Sequence, residues 1–142
     1  MRSSGNVIKE LKSLHEEGYR ALSFLDDTFI LDEQRAFDIF VGLEKYGFYW
    51  GCQSRSDKLN ESLVKAMSES GCVYVDLGIE SFDQRILDYI RKDINIETNI
   101  NAIKLLKKYK ILTKVNVLLG CAPFESRESV QHTVNMLRKL DV

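Results

Sequence analysis

The feature that most limits the fold of this chain is a repeated succession of an amphipathic segment, a glycine and a short apolar run. Residues 5–17 (GNVIKELKSLHEE) place apolar side chains at helical spacing, Gly18 ends that segment, and ALSFL follows as a predicted strand. An amphipathic segment also precedes an apolar run in EQRAFDIFVGLEKY before FYWGC, in LNESLVKAMSES before CVYVDLGI, and in NINAIKLLKKYK before ILTKVNVLLG; Gly47 and Gly71 separate the two segments in the first two cases. A last segment, SRESVQHTVNMLRKL, predicts an amphipathic helix with Ser126 as its N-cap.

Strands that alternate with helices pair in parallel within one sheet. We therefore predict an α/β fold in which four parallel strands are either covered by helices on both faces or curled into a barrel. A chain of 142 residues has the usual size of one domain. It contains one proline and no low-complexity linker, so we predict a single domain over residues 1–142.

Composition and charge exclude several classes of partner. The 20 Lys and Arg residues nearly balance the 21 Asp and Glu residues, and a net charge of -1 gives no general attraction to nucleic acid or to an anionic membrane. No apolar stretch approaches the roughly 20 residues that span a bilayer, and the N-terminus lacks the apolar core of a signal peptide. These observations predict a cytoplasmic protein with no nucleic-acid or membrane partner. Three widely spaced cysteines favour reduced thiols over disulfides or a zinc site.

Polar residues follow each predicted strand, and in parallel α/β folds ligands bind at the carboxyl ends of the strands. We expect these residues to share one rim, with Cys72 at the opposite rim. If the guanidinium of Arg55 and the carboxylate of Glu80 both point into the space at this rim, they would suit a zwitterionic ligand. The alternative is that the two residues form an internal salt bridge with each other. Asp27, Asp57 and Ser81 could equally be helix N-caps. The strand-end residues are Asp26, Asp27, Thr28, Gln53, Ser54, Arg55, Asp57, Glu80, Ser81, Cys121, Pro123 and Glu125.

Five segments in order resemble the catalytic barrel of radical S-adenosylmethionine (SAM) enzymes. The similarity is strongest to the branch that usually carries a cobalamin-binding domain, including proteins described as anaerobic magnesium-protoporphyrin ester cyclases. It covers nearly the whole chain, and it implies a partial TIM-like barrel of about four strands. The segments are NVIKELKSLHEEGY, FLDDTF followed by Asp32, WGCQSRSD, GCVYVDLGIESFDQRILDYIRK and LLGCAPFES.

The resemblance implies that SAM lies across the carboxyl ends of the strands, bound to a 4Fe–4S cluster. In the family, SAM is cleaved reductively to methionine and a 5′-deoxyadenosyl radical, which abstracts hydrogen from a substrate that this sequence does not identify. Leu25, Asp26 and Asp27 match the motif that holds the methionyl amino group. Glu80 matches a polar residue that contacts the ribose or the methionine moiety.

Further positions complete the predicted SAM-binding face. Lys92 matches a basic residue that pairs with the SAM carboxylate, with a solvated lysine at a helix end as the alternative. Asn116 and Gly120 match the strand along which adenine lies. Ser54, Arg55 and Ser81 are assigned to the same face.

The sequence departs from the family in two places. The C-x3-C-x2-C triplet that binds the cluster is absent, so we predict a piece of a longer enzyme that lacks the first and last barrel strands and is inactive alone. Its cluster, and any cobalamin, would belong to the parent protein. Such a piece should bind SAM with a dissociation constant no better than roughly millimolar. The second departure is GCAPFE, which stands where the family usually has a shorter Gly-x-Pro-Gly-Glu turn. We therefore assign the family's role at this turn to Gly120 but not to Glu125.

Two other functions fit parts of the sequence. In a response-regulator receiver, Asp26, Asp27 and Asp76 would surround magnesium, although Asp76 is expected inside its strand and below the rim. In a plain interaction module, the polar rim would only cap helices. A barrel piece without its first and last strands would have unpaired edges at ALSFL and KVNVLLG, which predicts self-association through an edge or through exchange of a terminal helix.

Overall fold

Helices and strands alternate in the computed structural model, which describes residues 1–142, except that two helices separate the third strand from the fourth. The amphipathic segments form helices and the apolar runs form strands, as predicted. The elements are α1 (Ser4–Glu16), β1 (Ala21–Ser23), α2 (Glu33–Tyr46), β2 (Tyr49–Arg55), a 3₁₀ turn (Ser56–Lys58), α3 (Glu61–Glu69), β3 (Cys72–Glu80), α4 (Gln84–Tyr89), α5 (Ile96–Lys108), β4 (Leu112–Val117) and α6 (Arg127–Leu140).

The helix ends follow the local sequence signals. Gly47 ends α2 in the left-handed conformation, with φ of 64°, which glycine adopts without steric cost. Ser126 caps α6 as predicted, because its side chain accepts a hydrogen bond from the backbone of Ser129 while the Ser129 side chain bonds back to Ser126. None of the six helices has the length and apolar character needed to cross a membrane.

The four strands form one parallel sheet in the order β1-β2-β3-β4, which confirms the predicted α/β class. Side chains alternate between the two faces of the sheet. In β3, Val75, Leu77 and Ile79 are buried in the core with residues of the helices. The intervening residues of β3, Asp76 and Glu80 among them, lie on the opposite face. Helices therefore cover one face and leave the other open, so the barrel-like alternative is the one that the structure adopts.

An aromatic cluster fixes β2 against the helices. Trp50 is fully buried, its ring stacks on Phe40 at 5.3 Å between centroids, and its Nε1 donates a hydrogen bond to the carbonyl of Ser70 at 3.0 Å. Burying an indole with its N–H paired costs no unsatisfied donor. The packing holds β2 in place, and its carboxyl end supplies residues to the open face.

Candidate functional site

A cleft of about 230 Å³ lies at the carboxyl ends of the strands on the open face. No hydrophobic side chain lines it. A cleft of this composition suits a charged or strongly polar ligand, because an apolar ligand would leave these groups unpaired. Its lining residues are Asp27, Thr28, Gln53, Ser54, Arg55, Asp76, Gly78, Glu80, Lys92 and Asn116.

Glu80 and Lys92 form an ion pair in this cleft. The Nζ of Lys92 donates to Oε1 of Glu80 at 2.7 Å, and the two side chains are only 17% and 13% exposed. Charges this buried are tolerated because each compensates the other. The predicted internal salt bridge therefore exists, but its cation is Lys92 and not Arg55. Lys92 is not the solvated helix-end lysine of the alternative interpretation.

The backbone around this pair adopts unusual conformations. Glu80 has φ of 61°, and the two neighbours of Lys92, Arg91 and Asp93, have φ of 53° and 55°. Residues other than glycine rarely occupy this left-handed region, and each such residue costs of order 1 kcal/mol unless its surroundings impose it. The pairing of β3 with β4 also shifts register between Gly78 and Glu80. Such a bulge re-aims the side chain that follows it.

Buried contacts hold Glu80 in this conformation. Asn99 of α5 is fully buried, and its Nδ2 donates to the carbonyl of Ile79 at 3.1 Å, while its Oδ1 accepts a hydrogen bond from Ser56. Because Gly78 has no side chain, the ion pair of Glu80 and Lys92 can occupy the space beside it. A Cβ at position 78 would lie 2.9 Å from Oε1 of Glu80 and 3.2 Å from Nζ of Lys92.

The guanidinium of Arg55 lies in the same cleft but bonds to protein groups. Its Nε donates to Oδ1 of Asp57 at 2.9 Å, and its Nη2 donates to Oδ2 of Asp57 at 3.3 Å and to the carbonyl of Lys92 at 3.0 Å. Arg55 thus joins the end of β2 to the segment that carries Lys92. Asp57 is occupied by Arg55 and caps no helix, since Asn60 is the N-cap of α3.

Asp76 is a cleft residue that the sequence predicted only in part. It lies inside its strand, as predicted, but it was not assigned to the SAM-binding face, whereas its side chain lines the cleft and is 12% exposed. Its Oδ2 accepts from Nζ of Lys114 and its Oδ1 from Nδ2 of Asn116, both at 2.7 Å. The hydrogen bond from Lys114 to Asp76 raises the pKa of the lysine above its ordinary value. The alternation of side chains along β3 places Asp76 on the open face of the sheet.

Six of the predicted site residues meet in the cleft and four do not. Those that meet are Asp27, Ser54, Arg55, Glu80, Lys92 and Asn116. Those that lie elsewhere are Leu25, Asp26, Ser81 and Gly120.

The four outlying residues have separate surroundings. Leu25 is 81% exposed, and Asp26 lines a second cavity of about 200 Å³ between α1 and β1. Ser81 is buried, and its hydroxyl accepts a hydrogen bond from the backbone of Asp83, which is the N-cap of α4. Gly120, with φ of 73°, donates its N–H to the Glu125 carboxylate at 2.9 Å. No three His, Cys, Asp or Glu side chains of the chain come together as a metal site, so Asp26, Asp27 and Asp76 do not form the magnesium site of a receiver.

The sequence analysis placed Thr28 and Gln53 at strand ends without assigning them to a ligand, and it missed Gly78. Gln53 and Arg55 alternate with the buried Cys52 and Ser54 along β2, as Asp76 and Gly78 alternate with Leu77 along β3. In the sequence this alternation shows clearly only at Asp76, a polar residue between two apolar ones, which is the signal for a strand with one open face.

The three cysteines do not provide ligands for a cluster. Cys52 and Cys72 are buried in the core, away from the cleft, and Cys121 follows β4. Burial raises the pKa of the Cys52 thiol well above its usual range and that of Cys72 to about 12. Cluster ligation needs clustered thiolates, which this arrangement does not offer. The cleft, in contrast, carries charged groups of both signs, with Arg55 and Lys92 beside Asp27, Asp76 and Glu80.

Comparison with known proteins gives the same family as the sequence. The model of the radical SAM superfamily matches residues 1–137. An uncharacterized methyltransferase of Pyrococcus horikoshii is 41% identical over 139 residues, which is 96% of this chain and 30% of that protein. The anaerobic magnesium-protoporphyrin IX monomethyl ester cyclase of Rubrivivax gelatinosus is 28% identical over 145 residues, covering 97% and 26% of the two chains. The chain thus spans less than a third of the length of these curated relatives.

A solved structure confirms the predicted partial barrel. The radical SAM methyltransferase TsrM from Kitasatospora setae, determined with cobalamin and a [4Fe-4S] cluster bound, superposes with a TM-score of 0.88 at 20% identity. The match covers 100% of this chain and 30% of that protein. At this identity the likeness shows the fold alone.

Proposed function

The chain belongs to the radical SAM superfamily, and from that premise we propose that it forms the central part of a catalytic domain whose cleft binds SAM. The observation that carries the proposal is the Glu80–Lys92 pair. It places an acceptor and a donor of opposite charge side by side at the carboxyl ends of parallel strands. The carboxyl ends of the strands are where α/β folds bind their ligands.

The residues of the cleft suit the methionyl end of SAM. Glu80 would accept from the ammonium group and Lys92 would donate to the carboxylate, so that each half of the zwitterion meets an opposite charge. Asp27 is an exposed carboxylate at the mouth and adds attraction for a cationic ligand. Asn116 carries a side-chain amide that could bond to a polar edge of the adenine. We further propose that Leu25, Asp26, Ser81 and Gly120 contact SAM only after the loops around the cleft move.

Bound SAM supplies, in this family, a primary carbon radical on reductive cleavage. The residues described here bind and orient the cofactor and do not provide the electron. We therefore propose that the isolated chain binds SAM without cleaving it, and that cluster ligands and any cobalamin come from other parts of a longer enzyme. Methyl transfer is the outcome that we favour, because relatives of this chain are named as methyltransferases.

Titration of the chain with SAM tests the proposal. Backbone chemical shifts of cleft residues should saturate with a dissociation constant no better than roughly millimolar. Lys92→Met should weaken binding, whereas Lys104→Met, which removes an exposed lysine from α5, should leave it unchanged. Absence of saturable shifts, or equal binding by the Lys92 variant, would contradict the proposal.

Exposed strand edges support a proposal about assembly. β1 and β4 are the two edges of the sheet, and Leu112 on β4 is 74% exposed. Unpaired backbone groups beside an exposed apolar side chain recruit other strands. We propose that the chain self-associates through such an edge. Sedimentation should show a mass that rises with concentration and falls in Leu112→Lys, and a monomer at all concentrations would contradict this.

A further inference from the structure

Arg55 lies in the cleft, yet its hydrogen bonds go to the protein. Two of its three guanidinium nitrogens are occupied, by both carboxylate oxygens of Asp57 and by the carbonyl of Lys92. A bidentate arginine–carboxylate pair has a fixed direction, unlike a single charged contact. Asp57 therefore aims the guanidinium at the backbone of Lys92.

Lys92 occupies a segment that would not hold its shape unaided. Neither residue beside it is a glycine, yet both have the left-handed backbone conformation. Its N–H donates to the carbonyl of Leu87 at 3.0 Å, which ties it to α4, and its own carbonyl is tied by Arg55. Strained segments persist when surrounding contacts over-determine them. Substitution of Arg55 would remove the hydrogen bond that fixes the Lys92 carbonyl.

We propose that Arg55 is a positioning residue for the Glu80–Lys92 pair, one that acts by holding the Lys92 carbonyl and does not contact SAM. The inference rests on the proposed function only in that the pair recognises the methionyl group of SAM. Lysine cannot replace Arg55, because a single ammonium does not span Asp57 and the Lys92 carbonyl with the geometry of the fork.

A double-mutant cycle separates positioning from direct contact. Arg55→Gln should lower affinity for SAM by about tenfold, a typical coupling within a connected network. Affinity for 5′-methylthioadenosine, which lacks the amino and carboxylate groups, should be unchanged. Adding Arg55→Gln to Lys92→Met should cause no further loss, because the group that Arg55 positions is already absent. Additive losses would show a direct contact, and an equal loss for both ligands would show general disruption; either overturns the inference.

A measurement without ligand distinguishes failure of this inference from failure of the proposed function. In the wild-type chain the Lys92 ammonium is paired and partly buried, so its protons should exchange slowly enough to give a ¹⁵N-correlated NMR signal. Arg55→Gln should broaden or abolish that signal, and Arg91→Gln, an exposed neighbour, should preserve it. An unchanged signal in Arg55→Gln overturns the inference whether or not SAM binds.

Asp57→Asn supplies a second variant in case Arg55→Gln does not fold. It keeps the arginine but weakens the anchor that aims it. We expect a smaller change in the same direction, both in the Lys92 signal and in the ratio of SAM to 5′-methylthioadenosine affinity. No change in either quantity would overturn the role given to Arg55.

Discussion

The Nζ of Lys92 lies 2.7 Å from Oε1 of Glu80, and the two residues are twelve positions apart in the chain. Regular secondary structure does not create this contact. Glu80 reaches it from a bulge at the end of β3, and Lys92 reaches it from a segment that follows α4. The pair is thus built from irregular backbone, which is common where a site must present particular groups.

Gly78→Ala should displace the pair without separating its two charges, and should preserve the fold. The added methyl would lie 2.9 Å from the Glu80 carboxylate and 3.2 Å from the Lys92 ammonium, and both groups are the far ends of flexible side chains. They can move aside, so we expect the free energy of unfolding to fall by less than about 1 kcal/mol. Affinity for SAM, measured by titration, should fall about tenfold or more, since a displaced pair no longer matches the ligand.

Gly5→Ala is the matched control for this substitution. Gly5 lies in α1, and a Cβ there meets no atom within 4 Å. Alanine should raise the free energy of unfolding by about 0.5–1 kcal/mol, because glycine loses more conformational freedom in a helix. SAM affinity should not change. Wild-type affinity in Gly78→Ala would show that the pair does not bind the cofactor.

Glu80→Gln should destabilise the chain by leaving the Lys92 ammonium without a counter-charge. The ammonium is largely buried, and an unpaired buried charge costs about 1–3 kcal/mol or more. The double variant Glu80→Gln/Lys92→Met should recover part of that loss, because it buries no charge. Urea denaturation measures both values. Glu44→Gln on the exposed surface of α2 should change the free energy of unfolding by less than about 0.5 kcal/mol.

Asn99→Ala should destabilise the turn beneath Glu80. The substitution leaves the Ser56 hydroxyl without its acceptor and removes a donor from the Ile79 carbonyl. Loss of buried hydrogen bonds of this kind costs about 1–3 kcal/mol. Chemical denaturation should show this loss, and SAM affinity should fall with it. Asn101→Ala, an exposed substitution on the same helix, should have little effect on either measurement, and equal effects of the two variants would contradict the role of Asn99.

The sequence was sufficient for the elements of the fold but less so for their ends. Helical spacing followed by an apolar run predicted all four strands, three of them with a glycine between the two segments. ALSFL was too long, because β1 pairs with β2 over only three residues. FYWGC was too short, because Ser54 and Arg55 still pair with Leu77 and Gly78 of β3. Both errors arise because pairing between strands, which local pattern does not contain, decides where a strand ends.

The candidate site was predicted in part for a related reason. The rule that ligands bind at strand ends found Glu80, Arg55 and Asp27, which do line one cleft. Asp76 was set aside because it lies inside its strand and not at the strand end, whereas on the open face of this sheet a residue inside the strand also lines the cleft. The partners within the cleft were also not predictable, since the contact of Glu80 with Lys92 depends on left-handed backbone that the residue types do not favour.

Alkylation of the cysteines should follow their burial. Cys52 and Cys72 are buried and should react with iodoacetamide only after unfolding, whereas Cys121 is partly exposed and should react in the native chain. The pKa of the Cys121 thiol is raised above its usual value, mainly by burial and secondly by the negative charge of Glu125. Less thiolate is therefore present at pH 8, and the rate should stay below that of an unstructured cysteine peptide and climb as the pH increases past 9. Glu125→Gln should lower this pKa and speed the reaction about twofold or more, whereas Glu128→Gln should not. Equal rates for Cys72 and Cys121, or no response to Glu125→Gln, would refute these assignments.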